Sequence, residues 1–147
     1  MWGAEEVGIH GGKAYAETHK NDLARHALAA ESDFGAGRVW QLRTRFGTGR
    51  EGHAKDLAEA LRTLGVGPGN AEAFGGADVG ALRAAGVPVL DLAQDGSDYF
   101  DLHHTANDTL DKIDPAALKQ NVAAWAVMLY LASEMEGGFR AVEATAP

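Results

Sequence analysis

The sequence predicts an α/β fold with a mixed, mainly parallel sheet that is covered by helices. Two observations lead to this fold class. Short apolar segments with strand character alternate along the chain with helical segments, and glycine-rich loops connect them. The 147 residues, 46% of them hydrophobic, suit one domain with its own core. No internal repeat or linker divides the chain, so we expect one domain over residues 1–139, followed by a tail at 140–147.

Three segments have the character of strands. Residues 27–32 are small and apolar, as in a buried strand. Residues 38–46 (RVWQLRTRF) alternate between apolar and polar side chains, which is typical of a half-buried strand. Residues 87–92 (VPVLDL) carry Pro88 near their start, where proline is tolerated in a strand.

Two longer segments have the pattern of amphipathic helices. Residues 53–64 place leucine and alanine on one face. A last helix begins at Asp114, a good N-cap, with Pro115 at the favoured first helical position. This helix carries an apolar stripe of Leu118, Val122, Trp125 and Leu129. Shorter helices are predicted at 11–20, 22–26 and 79–85.

Composition excludes several classes of function. The formal net charge is −8, the opposite of a nucleic-acid-binding surface. We interpret the one basic cluster, Arg38, Arg43, Arg45 and Arg50, as a solvated sheet edge. The chain has no cysteine, which rules out disulfides and thiolate metal sites. We expect no membrane span and find no signal peptide, and the sequence assigns no compartment.

Three separate loops carry the residues with chemical potential. Glu5 and Glu6 are adjacent, Asp33 follows a predicted strand, and a polar segment holds His103 and His104. Taken singly, the carboxylates are better explained by a solvated acidic turn and an Asx turn, whereas a polar loop does not explain a histidine pair. Together the nitrogen and oxygen donors form a ligand set suited to zinc or manganese.

Four segments resemble the C-terminal half of the catalytic domain of metallopeptidase family 28, the co-catalytic zinc aminopeptidases. They are GAEEVG, ESDFGAG, GGADVGALRAAGVPVLDL and YFDLHHTANDTLDKIDP. The resemblance runs from Met1 to about Glu136, and it is strongest to the plasma glutamate carboxypeptidase-like branch, which cleaves dipeptides. It implies an aminopeptidase or dipeptidase that hydrolyses peptide bonds with two zinc ions. Relatives of this kind are often secreted or periplasmic.

The resemblance implies a role for each matching residue. Glu5 would be the general base, and Glu6 and His104 would bind one zinc ion. Asp33 would bind the other zinc ion, and His103 would be a neighbour rather than a ligand. Asp78 lies in a segment that flanks the substrate pocket of the family, which makes it a candidate substrate-binding residue.

One departure from the family pattern affects these expectations. The family places a histidine and a zinc-bridging aspartate upstream of the paired glutamates, and this chain starts four residues before Glu5. We therefore expect an N-terminally truncated domain with an incomplete zinc site and self-association through an exposed sheet edge. An inactive fragment or a non-catalytic binding domain is the alternative function.

A dinucleotide-binding loop is a further alternative. Gly47, Gly49 and Gly52 spell G-x-G-x-x-G between a predicted strand and a predicted helix, and Glu72 follows 20 residues after Gly52. A plain glycine-rich turn explains the same residues, and the motif alone is weak.

Overall fold

A three-stranded mixed sheet forms the centre of the protein. The computed structural model describes residues 2–142. The strands are β1 (Val39–Arg45), β2 (Gly67–Pro68) and β3 (Val89–Gln94), in the spatial order β2-β1-β3. β2 is parallel to β1, and β3 is antiparallel to it. The predicted mixed sheet with parallel pairing is confirmed.

In the described part of the chain, five α-helices surround this sheet. They are α1 (His10–Thr18), α2 (Glu51–Arg62), α3 (Gly80–Ala84), α4 (Tyr99–Leu102) and α5 (Pro115–Glu134), with single 3₁₀ turns at Leu23–Arg25 and Leu110–Lys112. Asp114 caps α5 as predicted, because its carboxylate accepts a hydrogen bond of 2.8 Å from the Ala116 amide. Within residues 2–142, no helix is long and apolar enough to cross a bilayer.

The main core lies between one face of the sheet and the helices α2 and α5. Leu42 of β1 pairs with Leu92 of β3, and both side chains are buried against these helices. A second, smaller core lies under α1 and α3 and includes Val89, the first residue of β3. β3 therefore joins both cores. The fully buried side chains of the main core include Val39, Leu57, Leu61, Leu90 and Met128.

Of the apolar stripe predicted on α5, only Trp125 packs against the main core, and it is half-buried. Leu118, Val122 and Leu129 are 40%, 59% and 60% exposed. The buried side of the helix carries smaller and polar residues: Ala117, Gln120, Asn121, Ala124 and Met128. The amide of Gln120 explains this orientation, because it bonds both the backbone nitrogen and the backbone oxygen of Val39 at 2.8 Å. α5 therefore has an apolar face that no described residue covers.

The prediction of a strand at 27–32 is wrong. Only Ala29 pairs with the sheet, through a single parallel bridge to Val89. Alanine has low strand propensity and little side chain to pack, so the segment does not extend the pairing. No strand was predicted at Gly67–Pro68, which forms β2. Two residues give no periodicity from which to predict a strand.

The C-terminal segment packs against the glycine-rich loop after β1, and backbone hydrogen bonds join the two. The Gly47 amide donates to the Phe139 carbonyl at 2.8 Å, and the Val142 amide donates to the Thr48 carbonyl at 3.1 Å. A Cβ at Gly47 would overlap the backbone of Ala141. Close backbone packing, and not an approaching pyrophosphate, explains this glycine. Residues 140–142 of the expected tail are thus bound to the body of the protein, and residues 143–147 lie outside the described part.

Candidate metal centre

A tight turn before α1 presents the two adjacent glutamates. The Glu5 carbonyl accepts hydrogen bonds from the amides of Gly8 and Ile9, at 3.0 and 2.8 Å. Ala4 and Ile9 flank this turn in the left-handed backbone region, with φ of 61° and 58°. Neither residue adopts this conformation readily, so the surrounding packing must hold the turn in place.

The histidine pair directly follows the short helix α4. The rings of His103 and His104 stack with their centroids 3.7 Å apart, and His103 also stacks on Tyr99 at 4.6 Å. His104 itself has a positive φ of 59°, a conformation in which histidine is tolerated better than most residues. Sequence reasoning missed Tyr99, although an aromatic residue four positions before a histidine is a recognisable signal.

The structure brings Glu6 and His104 into direct contact. His104 Nε2 and Glu6 Oε1 lie 2.9 Å apart, and both side chains are well exposed, at 59% and 64%. Within the described residues, Glu6, His103 and His104 form one group that can hold a metal ion, with ligand atoms all within 4.8 Å of one another. The geometry thus adds His103, which the resemblance treats as a neighbour, to the residues within reach.

The electrostatics of the cluster favour the capture of a cation. Partial desolvation, followed by the negative charges of Glu6, Asp33 and Asp78, raises the pKa of Glu5. The hydrogen bond and the charge of Glu6 raise the pKa of His104. Several carboxylates therefore repel one another at the mouth of the Glu5–Glu6 turn, and a bound cation would relieve this repulsion.

Asp33 lies near this cluster but outside it. Its charge contributes to the raised pKa of Glu5 and, after desolvation, to that of Tyr99. Phe34, the next residue, stacks on the Tyr99 ring at 4.2 Å and so ties this loop to the histidine segment. The structure therefore joins the three predicted loops, but it shows no direct contact between Asp33 and Glu6.

Asp78 is held by a residue that sequence reasoning did not single out. The Asp78 amide donates to Glu31 Oε2 at 2.8 Å, and desolvation raises the pKa of Glu31. One carboxylate oxygen of Asp78, Oδ1, is buried and has no partner in the described residues. Asp78 thus borders the acidic cluster, and Glu31 positions its backbone.

The donor set fits zinc. Carboxylate oxygens and imidazole nitrogens are ordinary zinc ligands, and these side chains converge from separate loops. The hydrogen bond between Glu6 and His104 holds two donor atoms side by side at 2.9 Å. Once His104 Nε2 carries no proton, both atoms of this pair can donate an electron pair to a metal ion.

Fold and cluster together place the chain in the metallopeptidase class. The family model for peptidase family M28 matches residues 1–129, and the chain belongs to this family. Carboxypeptidase Q of Homo sapiens is 34% identical over 140 residues, and the same enzyme of Rattus norvegicus is 31% identical over 136 residues. The crystal structure of a peptidase M28 precursor from Shewanella amazonensis SB2B superposes with a TM-score of 0.91 at 46% identity.

The matches cover nearly all of this chain but a smaller share of the relatives. They include 92% of the chain against each carboxypeptidase Q and 99% against the Shewanella structure. The same matches cover 29% of the carboxypeptidases and 33% of the Shewanella chain. The chain therefore spans about a third of the length of the relatives that it matches.

Proposed function

We propose that this chain carries part of the active site of a zinc exopeptidase, an aminopeptidase or dipeptidase. The observation that supports this function best is the 2.9 Å contact between Glu6 and His104, which joins residues 98 positions apart. Glu5 stands next to this pair, and its carboxylate, whose pKa is raised by desolvation and by the neighbouring acidic groups, is the proposed proton acceptor. The substrates we propose are peptides or dipeptides.

Each residue of the site has a proposed task in hydrolysis. Glu6 and His104 would hold one zinc ion, and Asp33 would hold a second. Zinc supplies a lowered pKa for water and polarisation of the peptide carbonyl when it is bound. Glu5 takes the proton of the attacking water and passes it to the leaving amine.

We propose further that these 147 residues contain only part of the ligand set. Zinc sites normally use at least three protein ligands each, and two ions therefore need more donors than Glu6, Asp33 and His104 provide. His103 lies within reach as one further donor. The histidine and bridging aspartate that the resemblance implies have no counterpart before Glu5 in this sequence.

One observation favours a non-catalytic binding role as the second candidate. The side chains of Glu6 and His104 are 64% and 59% exposed. Metal-dependent hydrolysis works best in a shaped cavity that excludes water, and a cluster this open does not provide one. A metal-binding domain without turnover is consistent with the same residues.

A chimera tests the exopeptidase proposal. This chain is joined to the remainder of the Shewanella relative, and hydrolysis of a dipeptide panel is measured with added zinc. We expect turnover in the chimera that Glu5→Gln lowers by about 10²–10⁴-fold, the usual contribution of a general base. A folded chimera that binds zinc but hydrolyses none of the panel would rule out the exopeptidase function.

The unextended chain tests the second part of the proposal. We expect it to hydrolyse the same dipeptides slowly or not at all, because its ligand set is incomplete. Robust turnover that disappears on Glu5→Gln would contradict the incomplete ligand set and leave the exopeptidase function standing.

A further inference from the structure

Four aromatic rings form a continuous stack beside the candidate metal centre. Phe34 stacks on Tyr99 with centroids 4.2 Å apart, Tyr99 on His103 at 4.6 Å, and His103 on His104 at 3.7 Å. The planes of successive rings differ by 22°, 26° and 21°, so all four rings are nearly parallel. The stack therefore runs from the residue after Asp33 to His104, between the proposed ligands of the two zinc ions.

Glycine backbone holds the Phe34 end of the stack. A Cβ at Gly96 would overlap the Phe34 ring, so only glycine lets this ring lie so close to the chain. A Cβ at Gly35 would contact the Tyr99 ring at 3.4 Å. Phe34 thus has a fixed place against the backbone, and it can support the rings that stack on it.

Helix α4 brings the next two rings together. The His103 amide donates to the Tyr99 carbonyl at 2.8 Å, which closes the last helical turn. Side chains four residues apart lie on the same face of a helix, so these two rings meet. Neighbouring side chains diverge in helices and strands. A stack of adjacent rings therefore needs a different backbone conformation, and His104 adopts one, with a φ of 59°.

Few other contacts restrain the two histidine rings. In the part of the chain that the structure describes, the His103 ring has no hydrogen-bond partner, and its aromatic neighbours are Tyr99, Phe100 and His104. The His104 side chain bonds Glu6 and is 59% exposed. Exposed side chains change rotamer on the ps–ns timescale unless a contact restrains them. Stacking on His103 is such a contact for the His104 ring.

The orientation of the rings separates the tasks of the two histidines. By distance alone, nitrogens of both rings lie within reach of one ion. However, an imidazole binds a metal through a lone pair that lies in its ring plane. Two planes that differ by 21° at a centroid separation of 3.7 Å do not meet within the zinc–nitrogen distance of about 2.0–2.1 Å. An ion in the plane of the His104 ring therefore lies out of the plane of the His103 ring.

We propose that Phe34, Tyr99 and His103 are positioning residues that hold His104 for metal binding, and that His103 acts as a stacking ring and not as a ligand. The inference rests on the proposed zinc site, which gives the stack its task. It deepens that proposal, because the stack sets His104 relative to the loop that carries Asp33. The ligands of both ions are thereby arranged before any metal binds.

The mobility of the His104 ring in the metal-free chain is the first test. ¹³C NMR relaxation of the His104 ring carbons reports this motion. We expect larger ring motion in His103→Ala and Tyr99→Leu, and unchanged motion in His103→Phe and Tyr99→Phe, which keep a planar ring at each position. Phe100→Leu is the matched control, because Phe100 meets Tyr99 and His103 edge-on, at 82° and 83°, and its loss should leave the motion unchanged.

Zinc affinity, measured by isothermal titration calorimetry, is the second test. We expect His103→Phe to bind zinc as tightly as the unaltered chain does. His103→Ala should bind roughly two- to ten-fold more weakly, the factor that corresponds to the usual strength of an aromatic pair. A metal ligand at this position would instead lose affinity in both variants. Tyr99→Phe and Tyr99→Leu should repeat the pattern.

Three results would overturn the proposal. One is equal mobility of the His104 ring in the unaltered chain and in His103→Ala. Another is a loss of zinc affinity in His103→Phe as large as in His103→Ala, which would make His103 a ligand. The third is an equal loss in Phe100→Leu, which would point to general packing around α4. If the unaltered chain binds no zinc, the proposed site fails, whereas the ring mobility still decides whether the stack holds His104.

Discussion

Glu6 Oε1 and His104 Nε2 lie 2.9 Å apart across 98 residues of sequence. One residue comes from the turn before the first helix, and the other follows the helix α4. Their contact fixes the two loops relative to each other before any metal binds. The pKa of His104 depends on this contact, so a titration of His104 can detect whether the contact forms.

The first prediction concerns the titration of His104 in the metal-free protein. The hydrogen bond and charge of Glu6 raise its pKa in the folded state. The contact therefore stabilises the folded state. This stabilisation is fully present below the unfolded-state pKa of about 6.5, and it is lost as pH rises through the higher pKa of the folded state. We expect NMR titration to show a raised His104 pKa that falls towards the ordinary value in Glu6→Gln. A pKa at or below the ordinary value in the unaltered chain would show that the contact does not form in solution.

A second prediction concerns metal affinity. We expect the chain to bind zinc, and Glu6→Gln or His104→Ala to weaken binding at least about ten-fold, since even residues that only support a ligand cost 10–100-fold. His53→Asn is the matched control, because His53 lies in the first turn of α2, bonds the Glu136 carbonyl and is not part of the cluster. Isothermal titration calorimetry measures the zinc affinity of the unaltered chain and of each variant. Equal losses in His53→Asn and His104→Ala would mean that zinc binds elsewhere.

Gln120 is the subject of the third prediction. Its Oε1 accepts from the Val39 amide, its Nε2 donates to the carbonyls of Val39 and Leu64, and the side chain is buried. Gln120→Ala leaves buried backbone groups without these partners, which should lower the free energy of unfolding by about 3 kcal/mol. Urea denaturation measures it, with the exposed neighbour Lys119→Ala as control. An unchanged urea midpoint in Gln120→Ala would show that other partners replace the amide.

The fourth prediction concerns self-association. The sequence suggested association through a sheet edge, and the structure adds the exposed apolar residues of α5, among them Val122 and Leu129, as a second surface. We expect the chain to associate as its concentration rises, and Val122→Lys with Leu129→Lys to keep it monomeric. Leu110→Lys changes a more exposed leucine outside this face, and it should leave the self-association unchanged. Light scattering after size-exclusion chromatography measures the mass. A monomeric unaltered chain at all concentrations would rule out association through this face.

The sequence predicted the elements whose signals are local. Asp114 and Pro115 mark the start of α5 through capping chemistry, which needs no tertiary information. The alternating pattern of residues 38–46 likewise matches β1, at Val39–Arg45. The position of the Glu6–His104 pair followed from the family resemblance, because spacing alone cannot show that two distant loops meet.

The errors arose where long-range contacts decide the structure. Both sides of α5 carry apolar residues, and the two hydrogen bonds between Gln120 and Val39 favour burial of the side that carries Gln120. Nothing in the helical periodicity reveals those bonds. Arg43 was interpreted as part of a solvated sheet edge, but β1 is the central strand of the described sheet and Arg43 is half-buried, which the sequence alone does not show.

The backbone conformations around the cluster lower the thermal stability of the protein while they position the residues of the site. Within residues 2–142, three non-glycine residues have a positive φ: Ala4, Ile9 and His104. Ala4 and Ile9 flank the Glu5–Glu6 turn, and His104 belongs to the histidine pair. Such conformations cost on the order of 1–3 kcal/mol each, and glycine would relieve the cost. Variants selected only for resistance to heat should therefore accept glycine at positions 4 and 9. At position 104 the same substitution also deletes the imidazole and its contact with Glu6, so relief of the backbone there removes the proposed metal ligand.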